Sequence, residues 1–299
     1  MDINDKLKKR IAEAIKANRV NYPSDAKHAH ALGISSSVYS AIKNGDTDRQ
    51  ASPAVWFGIA RRLAVPLKEE REWKAAPTAV FNYITEQLQT CQEGCVSSLL
   101  CDLANIGKTF AAQWYVKRHA NAVYVDCSQV KSKQRLVRYI AKEFGVSVNG
   151  RYQDVYDDLA YYLKTLDHPL IILDEAGDLT YEAFLELKAL WNATERACAW
   201  YMMGADGLKE KINRSMKCNK VGYAEMFSRY GDRFCKVTPN DAKERETFLK
   251  DQAAMVAALN APKGADVGKM IRGSGGSLRR VFVEIEKLRD EMEEDGCRG

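Results

Sequence analysis

From about residue 79 onward, short apolar runs alternate with longer amphipathic stretches. The apolar runs cover 96–101, 122–126, 170–174, 199–204 and 234–237, each of strand length. Between them, 110–119, 135–144, 155–166 and 181–197 read as helices. Strands that alternate with helices predict an α/β unit: a parallel sheet of about five strands, covered on both faces. Thr238-Pro239 ends the last strand, because proline has no N–H to give a ladder. The remainder, 239–299, reads as helical with a GSGGS break at 273–277. The first part of the chain is patterned differently. Residues 1–75 read as a compact all-α unit, and Ala-Ala-Pro-Thr at 75–78 is the expected hinge. Three parts are therefore expected: 1–75, 76–238 and 239–299.

Within the first part, AKHAHALGISSSVYSAIKNG at 26–45 predicts a helix, a turn at Gly33 and a second helix. Ala29 permits close approach of the two, and Leu32, Ile34, Val38 and Ile42 supply apolar contacts. Ser35 is placed to cap the second helix, and Asn44-Gly45 to stop it. The run at 56–65 would close the bundle. This spacing resembles the helix-turn-helix of the phage-repressor (Cro-like) class, whose second helix enters the major groove. The resemblance implies DNA-facing roles for Ser36, Ser37, Ser40 and Lys43. A plain α-hairpin used for protein contact has the same core pattern.

Two apolar runs end in residues suited to a nucleoside triphosphate. LLCDLANIGKT at 99–109 ends in a Gly-Lys-Thr, and LIILDEA at 170–176 ends in adjacent carboxylates. Triphosphate binding needs backbone N–H groups and a Lys around the phosphates, a hydroxyl on Mg²⁺, and a carboxylate behind that metal. The expected loop is Asp102, Leu103, Ala104, Asn105, Ile106, Gly107, Lys108, Thr109 and Phe110. Thr109 and Asp174 are expected to hold Mg²⁺, and Glu175 to act on a water. Glycine is the usual residue at the position of Asp102 and often at that of Asn105. Asp and Asn tolerate left-handed backbone better than most residues, so the turn is expected to form.

Composition narrows the class further. The 299 residues are 46% hydrophobic, enough for packed cores. No apolar run approaches the roughly 20 residues of a membrane span, and MDINDKLKKR lacks a signal-like stretch. A cytoplasmic protein is expected, with no membrane partner. The eight cysteines lack zinc spacing, and buried reduced thiols are the expected reading. The net charge of +5 is mild, but it concentrates at 7–10, 130–138 and 208–220. Such runs also occur on ordinary solvated faces.

Later signals sort the triphosphate reading. MFSRYGDRF at 226–234 puts Arg229 and Arg233 where AAA+ ATPases carry an arginine finger for the neighbouring subunit. GGSLRR at 275–280 is similar to the sensor-2 motif of AAA+ lids, with Arg279 reaching the γ-phosphate. Asp206, after the fourth run, is a sensor-1 candidate or a helix cap. A repressor-like helix-turn-helix ahead of a small AAA+ module with a short helical lid resembles the MuB/TnsC-like AAA+ ATPases of DNA transposition, over nearly the whole chain. The resemblance implies ATP and Mg²⁺ as ligands and slow, DNA-stimulated hydrolysis. It implies a head-to-tail homo-oligomer, ring or filament, on duplex DNA with little base specificity. It also implies an integrase-type transposase as partner. Lys131, Lys133 and Arg135, with Lys209, Lys211 and Arg214, are the expected phosphate contacts. A helicase loader of the DnaC/IstB type and an ATP-gated helix-turn-helix transcription regulator are the alternatives.

Overall fold

The computed structural model describes residues 3, 5–19, 22, 24–46, 51–63, 65–67, 71 and 73–296. The chain forms two compact units, Met1–Trp73 and Lys74–Gly299.

The first unit contains α1 (Asp5–Asn18), α2 (Asp25–Leu32), α3 (Ser36–Lys43) and α4 (Pro53–Arg62) among the described residues. Leu7, Ile11 and Ile15 recur at four-residue spacing on α1 and are buried with Ala29, Leu32, Ile42, Trp56 and Ile59. Between α2 and α3, Gly33 adopts a left-handed φ of 69°, which a side chain would strain. Its N–H closes α2 onto Ala29 and His30. Ser35 then caps α3 by accepting from the Val38 N–H. His28 Nδ1 and the Tyr39 hydroxyl lie 2.9 Å apart in the buried α2–α3 contact, a polar pair that the apolar pattern did not announce. The helix expected to close the bundle is α4; part of the stretch 46–75 around it lies outside the described residues.

The second unit is built on β1 (Ser98–Cys101), β2 (Ala122–Asp126), β3 (Leu170–Asp174) and β4 (Ala199–Gly204). They form one parallel sheet in the order β1-β4-β3-β2. Side chains alternate between the two faces, as a strand's two-residue period requires. Trp200 and Met202 of β4 join one core with Ile171 and Leu173 of β3. Tyr201 and Met203 join the other with Leu170 and Ile172. The first core is covered by α7 (Lys133–Glu143), α8 (Tyr152–Thr165), α9 (Tyr181–Ala193), α10 (Asp206–Lys217) and α11 (Tyr223–Arg229). The second is covered by α5 (Ala79–Gly94) and α6 (Lys108–Val116). Each large aliphatic side chain buried here contributes about 1.5–3 kcal/mol. A helical appendage follows: α12 (Ala242–Asn260), α13 (Val267–Ser274) and α14 (Leu278–Gly296). No helix of the described residues is long and apolar enough to cross a membrane.

One expectation is corrected. The fifth apolar run does not form a full strand; it makes a single parallel bridge between Cys235 and Leu100. Cys235 N–H donates to Leu99 O at 2.8 Å and Cys101 N–H to Cys235 O at 3.0 Å. The ladder then stops because the N–H groups of Val237 and Thr238 donate to the Asp102 carboxylate at 2.7 and 2.9 Å. Pro239 has no donor to resume it.

Candidate nucleotide-binding site

Parallel sheets place ligands at the carboxyl ends of their strands. There β1 runs into the loop 102–107, which opens α6. Gly107 caps that helix at φ 96° and Asn105 stands at φ 60°. The expected left-handed turn residue is thus Asn105 and not Asp102. Successive N–H groups at the start of α6 give a partial positive charge suited to phosphate. Lys108 is 7% exposed. Its ammonium donates to the carbonyls of Asp102 at 2.9 Å and Leu103 at 2.6 Å. Burial lowers its pKa, opposed by the nearby carboxylates of Asp174, Asp102 and Glu175.

Across from it, Asp174 ends β3, buried, and draws three groups together. Thr109 Oγ1 donates to its Oδ2 at 2.6 Å, and the Tyr124 hydroxyl donates to the same oxygen at 2.9 Å. The Glu175 N–H donates to Oδ1 at 2.9 Å. A hydroxyl and a carboxylate side by side form the hard-oxygen set that Mg²⁺ prefers, so these residues fit that ion. Glu175 sits at φ 50°, which turns its side chain off the strand line, and the residue is exposed. Its pKa is raised, first by partial burial and then by Asp174. Tyr124 is absent from the residues the sequence pointed to; a tyrosine two residues before the end of the neighbouring strand was its one signal.

The helical appendage meets this loop. Leu278 Cδ1 lies 3.4 Å from where a Gly107 Cβ would stand, so the start of α14 packs on the loop itself. Gly276, at φ 81°, approaches α12 closely: a Cβ there would stand 2.8 Å from Leu249 Cβ. A cleft of about 720 Å³ is lined by Asn105 on one side and by Lys269, Ser277, Arg279 and Arg280 on the other. The structure therefore brings Arg279 to the same cleft as the phosphate loop.

The two finger candidates part company. Arg229 is half-buried with its guanidinium 4.9 Å from the Trp191 ring centroid. Arg233 is exposed beside a cavity of about 310 Å³ shared with Gln87, Thr90, Ser98 and Tyr230. Asp206 lies exposed in the first turn of α10, one residue past the cap position held by Ala205. Its charge complements the helix dipole there, so the cap expectation is corrected.

The basic segments also separate. Lys131, Lys133 and Arg135 are all exposed around the start of α7. Lys131 pairs with Asp178 at 3.0 Å, and Lys133 lies over the Tyr152 ring. Lys209, over Phe234, and Arg214 are exposed on α10. Lys211 is different. Its ammonium donates to the carbonyls of Gly177 and Leu179, each at 2.7 Å, and burial lowers its pKa. It clamps the turn behind Glu175. In the first unit, Ser36, Ser37 and Ser40 are exposed on α3, whereas Lys43 pairs with Asp25 at 2.7 Å.

The model of the AAA domain family matches residues 91–212, the segment that carries both the phosphate loop and the Asp174 strand. The chain is 26% identical over 286 residues to the Mu-like prophage FluMu DNA transposition protein B of Haemophilus influenzae, covering 93% of each chain. Among solved structures it is similar to the ORC2 protein of Aeropyrum pernix, determined as ADPNP-ADP complexes. That match has a TM-score of 0.55 at 16% identity, over 76% of this chain and 66% of that one. It is also similar to Cdc6p from Pyrobaculum aerophilum, with a TM-score of 0.54 at 13% identity, over 76% and 65%. The chain spans about two thirds of the length of those two structures. They share its α/β fold.

Proposed function

We propose that this chain, an AAA+ ATPase of the MuB type, is an ATP-dependent DNA-binding regulator of transposition. It would assemble on duplex DNA and recruit or activate a transposase of the integrase type. The observation that carries the reading is the Lys108–Thr109–Asp174–Glu175 constellation at the strand ends, with Arg279 of the lid facing the same loop. Similarity to a transposition protein through 93% of both chains favours this reading over a helicase loader or a transcription regulator.

In this reading Lys108 leaves the Asp102 and Leu103 carbonyls and neutralises the β- and γ-phosphates, while amides of 103–108 cradle them. Thr109 and Asp174 would hold Mg²⁺, which when bound would neutralise phosphate charge. Tyr124 keeps the Asp174 carboxylate aligned. Glu175 orients or deprotonates the attacking water. Arg233 serves the neighbouring subunit's site. An interface that uses different surfaces on the two partners builds rings if it closes and filaments if it does not. ATP at the seam would tie assembly to DNA binding, and hydrolysis would release it.

Lys108→Ala tests the nucleotide claim. Leaving a desolvated phosphate cluster without its cation is expected to weaken binding of a fluorescent ATP analogue by about 2–5 kcal/mol, roughly 30-fold or more. Affinity within a few-fold of wild type would remove Lys108 from the site.

The DNA claim rests on charge placed on an exposed surface. Replacing Lys131, Lys133 and Arg135 together by Ala should reduce the slope of log K against log salt by about 0.9 for each phosphate no longer neutralised. The weakening should be the same on unrelated duplexes, because charges that meet phosphate carry no sequence information. An unchanged slope and affinity, measured with ATP present, would place the DNA path elsewhere.

A further inference from the structure

Asp102 occupies the position where a phosphate loop ordinarily has glycine, yet its carboxylate turns away from the loop. It is fully buried. Oδ2 accepts from the Val237 and Thr238 N–H groups at 2.7 and 2.9 Å. Oδ1 accepts from the Leu103 N–H at 2.8 Å and from the Thr238 hydroxyl. Four donors on one carboxylate make a charge-assisted clasp. One end of the clasp is the first residue of the loop. The other is Thr238, buried, where the chain leaves the sheet for α12. Asn240 and Asp241 follow, and Asp241 caps α12 by accepting from Lys243 and Glu244 N–H. The far end of the appendage packs back on the loop through Leu278, next to Arg279.

We infer that Asp102 is a positioning residue for hydrolysis: it fixes the core–lid junction at Thr238 to the phosphate loop and so sets where Arg279 stands. The inference rests on the ATPase reading of the site. Lys108 strengthens the link, since its ammonium is held by the Asp102 main-chain carbonyl. When that ammonium turns to a phosphate, the residue released is the one that grips the junction. Loop and lid thereby share one mechanical element, and an unassisted glycine could not supply it.

The test compares Asp102→Gly, Asp102→Asn and Thr238→Ala with wild type in the full chain. Asp102→Gly is expected to keep ATP-analogue affinity within about 3-fold, because Lys108, Thr109 and Asp174 are untouched. Its kcat is expected to fall about 10- to 100-fold, the cost of an ångström-scale misplacement of a reacting partner. Asp102→Asn, with one acceptor oxygen left, should fall between. In an Arg279→Ala background Asp102→Gly should cost no more than about 2-fold further, because both changes remove one function. A general folding defect would persist there. Thr238→Ala, a milder change, should move kcat the same way and lose its effect in the same background.

Amide exchange gives a readout independent of turnover. A non-hydrolysable ATP analogue should slow exchange at 277–284 in wild type, and Asp102→Gly should lose at least about half of that protection. Affinity and kcat falling together would return Asp102 to phosphate binding. Unchanged kcat with unchanged lid protection would overturn the inference. A wild-type protein that binds the analogue and protects its lid but never hydrolyses ATP would sink the ATPase reading and the role in hydrolysis with it, while loss of that protection in Asp102→Gly would still show that the clasp places the lid.

Discussion

Arg233→Ala is expected to lower ATP turnover by about 10³- to 10⁵-fold, the range for loss of an arginine that stabilises phosphoryl-transfer charge across an interface. A finger must reach out of its own subunit, and Arg233 is exposed while Arg229 is stacked on Trp191. Arg229→Ala should instead act on stability, by about 0.5–2 kcal/mol for a partly desolvated cation–π pair. Its turnover deficit should be no larger than its unfolding explains. Action in trans gives the sharper test. Arg233→Ala retains Glu175, and Glu175→Gln retains Arg233, so mixing the two inactive proteins should restore some competent seams. No recovery at any ratio, with mixed assembly shown by cross-linking, would make Arg233 a structural residue. Recovery with Arg229→Ala in its place would exchange the two assignments.

Glu175→Gln is expected to keep nucleotide binding and lose hydrolysis by about 10²- to 10⁴-fold, the contribution of a positioned general base. Glutamine keeps the size of the side chain and removes only the proton acceptor. The pKa of Glu175 is raised by burial and by Asp174, and the base works ionised. Activity should therefore be present at higher pH and fall as pH drops through a value above the ordinary glutamate range. Glu175→Gln should abolish that limb and hold the assembled, ATP-bound state. Equal loss of binding and turnover would show that Glu175 shapes the site and does not act on water.

Much of this was legible in the chain because it follows local rules. The two-residue alternation of buried strands and the Gly-Lys-Thr at a strand end depend on neighbouring residues alone. So do the Gly33 turn and the Ser35 cap. What escaped is set by residues far apart in sequence. Asp102 reads as a substitute turn residue until residues 237–238 come beside it. That same approach cuts short the fifth strand, since two N–H groups that would have extended the ladder serve a carboxylate. Lys211 belongs to a basic run, and only folding brings Gly177 and Leu179 to its ammonium. Tyr124 reads as strand filler until β3 lies next to β2. Arg229 and Arg233 are four residues apart in one motif, and their different surroundings come from Trp191 on α9.

The central claim is assembly on DNA gated by ATP, and electron microscopy of the full chain with non-specific duplex DNA tests it most directly. With ATP, regular oligomers should coat or encircle the duplex on unrelated sequences, persist longest with Glu175→Gln, and be absent with Lys108→Ala. A protein that stays monomeric on DNA with ATP, at concentrations where it binds both, would contradict the account.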